Sequence, residues 1–246
     1  MASKLTHHPF AVEALLARTT VLTYAAPADE LKRLLPECLT PDTLDDTWGF
    51  VAAALVQTRN LRPKGLPAWL GQSFFLIGYR VFVRYTTPAG KRLRGLYILK
   101  SETDKRQMQW LGNLLTAYRY STIDIAYTAT ETSLEFASRR AELAIQVSLL
   151  PEEVGLPDAS PFGSWQQAQR FAGPLPFTFS YVPATQEVII VEGVREAWHP
   201  RPVQVEQAHV GFLAHLSLSE LHLASAFTME NIPYSWKKGR SEQWRA

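Results

Sequence analysis

Two arginines stand four residues apart in "SFFLIGYRVFVRY" (73–85), a run that is otherwise almost wholly apolar and aromatic. A guanidinium is a planar fork of donors that keeps its charge, and it suits a carboxylate or phosphate held by parallel hydrogen bonds. In a strand, alternation puts Phe75, Ile77, Tyr79, Val81, Val83 and Tyr85 on one face. Leu76, Gly78, Arg80, Phe82 and Arg84 take the other. The first is a core face. The second carries two cations flanking Phe82, with Gly78 leaving room beside them. It is a candidate anion pocket, although an exposed face whose arginines pair with acids across the sheet gives the same pattern.

Other chemistry is sparse. There is no G-x-S-x-G elbow, P-loop, G-x-G-x-x-G or H-E-x-x-H motif. His209 and His215 are six apart, which does not place two ligands on one helical face. No metal and no cofactor is expected. Lys100 and Lys105 lack the like-charged neighbour or apolar setting that would make an amine nucleophilic, and read as surface charges. Cys38 follows a helix-like run and reads as a small packed residue. Downstream, Trp110, Tyr118 and Arg119 join the candidate ligand-binding set, with Tyr97 on the strand before them. For Trp110 and Tyr118, core packing is the competing reading. Arg119 suits either a pocket or an ion pair with Asp124.

The whole chain is ordinary: 246 residues, 46% hydrophobic, 20% charged, net charge +2. Such a charge argues against nucleic-acid or membrane affinity across the molecule. Its distribution is uneven, because from Thr47 to Ser101 there are nine Lys or Arg and no Asp or Glu. One cysteine excludes an internal disulfide, and no stretch reads as a signal peptide or spanning helix, so a soluble, cytoplasmic protein is expected.

Strand signals dominate the elements that must carry these residues. Runs rich in β-branched and aromatic residues cover 48–57, 73–85, 93–99, 121–130, 142–150, 177–182 and 187–194. "TTPAGK" (86–91) predicts a hairpin between the second and third. Helices are predicted over 27–35, from Glu102 to about Ala117 behind a capping-box-like Ser101-Glu102-Thr103-Asp104, and over 164–171. The fold class is α+β, mainly antiparallel β. With this many strands it should close, wholly or partly, into a barrel or form a sandwich.

The order of parts is familiar. The helix exit "LKRLLPECL", the hairpin "YRVFVRYTTPAGKRLRGLYIL" and the following W-L-G-N resemble the acetoacetate decarboxylase-like superfamily, and within it the uncharacterised YqjF-like branch. The resemblance implies a β-rich barrel with a small-molecule site in its interior or mouth. It spans residues 18–240, which leaves an N-terminal extension (1–17) and a tail (241–246). True decarboxylases of this fold carry Gly-aromatic-Pro-Lys-Lys, whose first lysine forms a Schiff base; acetoacetate decarboxylase is a standard example of a lysine made nucleophilic by a cationic neighbour. The corresponding run here is Gly112-Asn113-Leu114-Leu115-Thr116. The branch's Glu-x-Asn-x-Arg pattern becomes Arg80-Val81-Phe82-Val83-Arg84, in which only the last arginine survives. Schiff-base decarboxylation is therefore not expected.

The leading reading is a barrel that binds a small, anionic, partly apolar molecule through Arg80, Phe82, Arg84, Tyr97, Trp110, Tyr118 and Arg119. A second is an enzyme of the same fold working on a small keto or hydroxy acid by lyase- or hydrolase-type chemistry. It would use arginine with a general acid or base from Tyr97, Tyr118, Asp124 or a histidine. A third is an interaction protein using the basic hairpin face or the tail "PYSWKKGRSEQWRA" (233–246). Neither a nucleic-acid nor a membrane partner is expected, and self-association into a homo-oligomer stays open.

Overall fold

The computed structural model describes residues 4–150, 153–172, 175–195 and 198–244. The long strands come first: β1 (Val12–Pro27), the short β2 (Leu39–Pro41), β3 (Trp48–Pro63), β4 (Gln72–Thr86) and β5 (Arg92–Thr103), with helix α1 (Ala28–Arg33) after β1. Helix α2 (Arg106–Leu115) follows, then β6 (Tyr120–Thr122), β7 (Ala126–Ala129), β8 (Ser133–Ser138) and β9 (Leu143–Ser148). The C-terminal part holds α3 (Trp165–Ala172), β10 (Phe177–Val182), β11 (Glu187–Arg195), β12 (Arg201–Pro202), β13 (Gln204–Val210), α4 (Gly211–Ala214), β14 (His222–Trp236) and β15 (Arg240–Gln243).

The main sheet runs β14-β1-β3-β4-β5-β10-β11, and β11 pairs back onto β14 through Gly193↔Trp236, Val194↔Ser235 and Arg195↔Tyr234. That pairing closes a barrel and removes the free edges of its long strands. Neighbours around the ring are antiparallel except β5 and β10. A separate sheet, β13-β9-β8-β7, lies against the outside. Its inward residues alternate as the pleat requires: Leu134 and Phe136 on β8; Leu143, Ile145 and Val147 on β9.

β4 is consequently covered on both sides. Phe75, Ile77, Tyr79, Val81, Val83 and Tyr85 join the residues of the second sheet in one apolar core. Phe82, on the opposite face, packs in a second core with Phe50 and Phe162. The alternation read from the sequence is the one observed, and its mixed face looks into the barrel.

Four boundaries differ from expectation. Residues 12–17 belong to β1, since Val12 and Glu13 already pair with β3 and β14, so the N-terminal extension is shorter than 1–17. β5 runs on to Thr103, and α2 starts only at Arg106. The acids of the apparent capping box are used otherwise: Glu102 accepts bonds from the Tyr79 hydroxyl (2.8 Å) and Lys100 (2.5 Å), and Asp104 accepts the Phe75 N–H. The expected strand 121–130 is two strands in two sheets, β6 and β7. Of the tail, Ser241, Glu242 and Gln243 extend the sheet as part of β15, and the last two residues lie outside the described ones. No described helix is long and apolar enough to cross a membrane.

Candidate ligand-binding cavity

The barrel interior holds a cavity of about 400 Å³, walled by β1, β3, β4, β5 and β14 and flanked by α2. Most of its wall is apolar, with Leu16, Val21 and Val56 on the first strands and Leu76 and Phe82 on β4. Among the described residues no Asp, Glu or Lys lines it.

Arg80 projects from β4 into this space, beside Gly78 and opposite Ala52 of β3. Its Nε is buried and has no hydrogen-bond partner, and no described carboxylate forms an ion pair with it. Its side chain lines the cavity and keeps part of its accessible surface. Burial pushes its pKa down, partly offset by the oxygens of Tyr234, Tyr120 and Tyr118, while Arg195 adds to the lowering. A guanidinium starts so high that it remains a cation. It is a partly buried cation for which no described residue supplies a counter-charge, a setting that favours an anionic ligand beside it.

The groups around it come from distant parts of the chain. Arg195, at the end of β11, lies over the Trp198 ring at 4.1 Å and near Tyr234 at 5.8 Å. Ring closure pairs Arg195 directly with Tyr234. Tyr118 enters from the turn after α2 and Tyr120 from the start of β6, and Thr178 of β10 lines the same cavity. Burial raises the pKa of all three tyrosines, so near neutral pH they are uncharged phenols able to donate. Two guanidiniums and several neutral phenols converging in an apolar space can hold a carboxylate or a developing enolate oxygen.

The rim is built differently. Arg62 is occupied: it pairs with Glu13 at 2.7 Å and donates to the carbonyls of Leu66 and Asn60. His8 lies at the same end, and burial lowers its pKa.

Of the seven residues expected from sequence, Arg80, Phe82 and Tyr118 line the cavity. The other four do not. Arg84 leaves the same face of β4 but reaches Asp42, the residue after β2, to which its Nε donates at 2.5 Å; Arg94 holds the other oxygen of that carboxylate. On β5 the cavity takes Leu96 and Ile98, so alternation turns Tyr97 outward, towards Arg119. Arg119 is exposed on a residue of positive φ (53°), and Trp110, 65% exposed, lies on the outer side of α2. Arg195, Tyr120 and Tyr234 were missed. Arg195 lies one residue beyond the strand predicted over 187–194, so its only signal was alternation continued from Gly193. Tyr234 sits in a segment read as the chain's basic end.

The remaining candidates fall outside the cavity. Asp124 accepts from the Ser138 hydroxyl and the Arg140 N–H. Lys100 pairs with Glu102, so it is not a free surface charge, and Lys105 lies beside Asp104. No cluster of His, Cys, Asp or Glu among the described residues could hold a metal ion.

Residues 14–231 match the family DUF2071, described as an uncharacterized conserved protein. The chain belongs to that family. No curated protein matches it. Among solved structures, the acetoacetate decarboxylase of Legionella pneumophila superposes with a TM-score of 0.60 at 10% identity, over 95% of this chain and 87% of that one. An acetoacetate decarboxylase-like enzyme from Sphingomonas wittichii gives 0.57 at 12%, over 99% and 96%. The enduracididine biosynthesis enzyme MppR, complexed with pyruvate, gives 0.56 at 12%, over 95% and 90%. At these identities the likeness establishes a shared fold, the acetoacetate decarboxylase-like barrel expected from the sequence.

Proposed function

We propose that this DUF2071 protein binds a small carboxylate with an apolar body inside its barrel, and does so without a Schiff base. One observation carries the reading: Arg80 is a partly buried cation whose Nε lacks a partner, in a cavity where no described acid answers it. A bound carboxylate would supply that charge and accept the fork of donors. Arg195 and the phenols of Tyr118, Tyr120 and Tyr234 would complete the anion's shell, and Phe82 and the aliphatic wall would take its apolar part. The corresponding run, Leu114-Leu115-Thr116 at and just past the end of α2, has no lysine, so the amine of the Schiff-base enzymes has no counterpart there. Tyr118 and Tyr120, held neutral beside Arg80, also fit a proton donor to an enolate, which keeps an enzyme of other chemistry as the second reading.

The test is a thermal-shift series of carboxylic acids and their methyl esters, on the native protein and on Arg80→Met. At 100 times its dissociation constant an acid adds about 2.7 kcal/mol to stability. Acids should stabilise the native protein, esters should not, and Arg80→Met should lose the effect. Equal stabilisation by esters, or full retention in Arg80→Met, would overturn the reading. Any acid that binds is the first compound to assay for turnover.

A further inference from the structure

We infer that the ligand is a single-headed amphiphile: one carboxylate at Arg80 and an elongated apolar tail running along β4 to the rim at Leu70. The inference rests on the anion-binding reading above and adds the shape of the molecule.

The first support is where the wall's charges lie. Arg80, Arg195 and the three phenols interact with one another and so mark one place. The other charged lining residue, Arg62, is at the rim and is already used by Glu13 and two carbonyls. A second carboxylate at that end would have to displace Glu13.

The second is the wall between. From Gln72 to Arg80 one face of β4 presents Phe74, Leu76 and Gly78 to the cavity. Eight residues of strand span about 27 Å at roughly 3.4 Å per residue. Val56 of β3, Leu16 of β1 and Leu111 of α2 face the same space. Thr19 and Thr58 interrupt this wall only with uncharged hydroxyls.

The third is size. A cavity of about 400 Å³ corresponds to on the order of a dozen water volumes, at about 30 Å³ each. A keto acid of pyruvate's size would leave most of that space unfilled.

The fourth is the rim itself. Phe10 and Leu70 line the cavity yet are 39% and 48% exposed, and Trp69 beside them is 80% exposed. These segments adjoin through backbone bonds, Lys64 N–H to Ala11 and His8 N–H to Leu115. The apolar wall therefore continues to the outside, and a tail longer than the cavity would emerge across apolar side chains.

The experiment is calorimetric titration with straight-chain acids from butyrate to myristate, alongside the matching primary alcohols and dicarboxylates. Affinity should rise about fourfold per added methylene, the gain from burying one CH₂, and level off once the chain passes Leu70. Leu76→Trp should weaken the long acids far more than butyrate, and its melting temperature without ligand reports whether the fold is intact. Affinity independent of chain length, with acids still preferred over alcohols, overturns the tail and leaves the anion reading standing. Dicarboxylates binding more tightly than monoacids of equal length overturn the single head. No binding by any acid removes the anion reading and this inference with it.

Discussion

Arg80 and Arg84 leave the same face of β4 four residues apart, and only Arg84 meets a carboxylate: its Nε lies 2.5 Å from Asp42, while the Arg80 Nε is buried without a partner. Asp42 itself is fully buried and also holds Arg94, so β2, β4 and β5 are tied together at one point.

This tie should matter for stability and not for binding. Asp42→Asn leaves two guanidiniums short of their anion. Both are more than 40% exposed, so water repays part of the loss, and the cost should be about 1–3 kcal/mol. Arg84→Met should lower the urea midpoint in the same direction by less. Acid binding should be unaffected in either variant that remains folded. Loss of acid binding in a folded Arg84→Met would put the site elsewhere than the barrel interior.

Arg80 predicts the opposite trade. Replacing a partly buried, unpaired cation by a similarly sized apolar side chain removes part of a desolvation penalty, so empty Arg80→Met should be more stable than the native protein by about 1 kcal/mol. It should melt higher without ligand and gain nothing when an acid is added. A lower melting temperature without ligand would mean that Arg80 is held by partners that stabilise the fold, and the argument for a missing counter-charge would fail.

The contrast shows where sequence reading succeeds. Alternation in 73–85 separated the core face of β4 from its interior face, because strand side chains have a period of two and both faces are buried. Which arginine stays unpaired was not legible. Asp42 directly follows a three-residue strand with no pattern of its own, and only tertiary pairing brings Thr40 opposite Arg84. Arg195 and Tyr234 were invisible for a related reason: they meet through the short β11–β14 pairing that closes the ring, and register between distant strands leaves no local trace. Tyr97 and Trp110 were drawn in by aromatic type, though each faces away from the cavity. Tyr118 was included on the same ground and does line it.

Gly112 is the one residue of the W-L-G-N run whose identity the structure explains sterically. A Cβ there would lie 2.3 Å from the Tyr120 ring, so α2 and the segment carrying Tyr118 and Tyr120 can approach only at a glycine. Gly112→Ala should destabilise by about 1–3 kcal/mol through overpacking, despite alanine's better helix propensity. It should also displace Tyr120 from beside Arg80 and weaken acid binding. A variant as stable as the native protein, with unchanged affinity, would show that α2 can shift freely and that Tyr120 does not help hold the anion.

His8 supplies a pH dependence with a definite sign. Its ring lies at the rim with Nδ1 buried and unpartnered, and burial lowers its pKa from the ordinary 6.5, opposed in part by the neighbouring Phe10 backbone. The folded protein therefore binds this proton less readily than the unfolded chain. Its contribution to stability is fully present above pH 6.5 and is lost as pH falls from there towards the folded pKa, with a slope of at most about 1.4 kcal/mol per pH unit. Urea unfolding of the native protein and of His8→Phe should give curves that run parallel above pH 7 and diverge below about pH 6.5, with the variant losing less stability on acidification. Parallel curves down to pH 5.5 would mean that the imidazole takes up its proton equally well in both states, which its burial argues against.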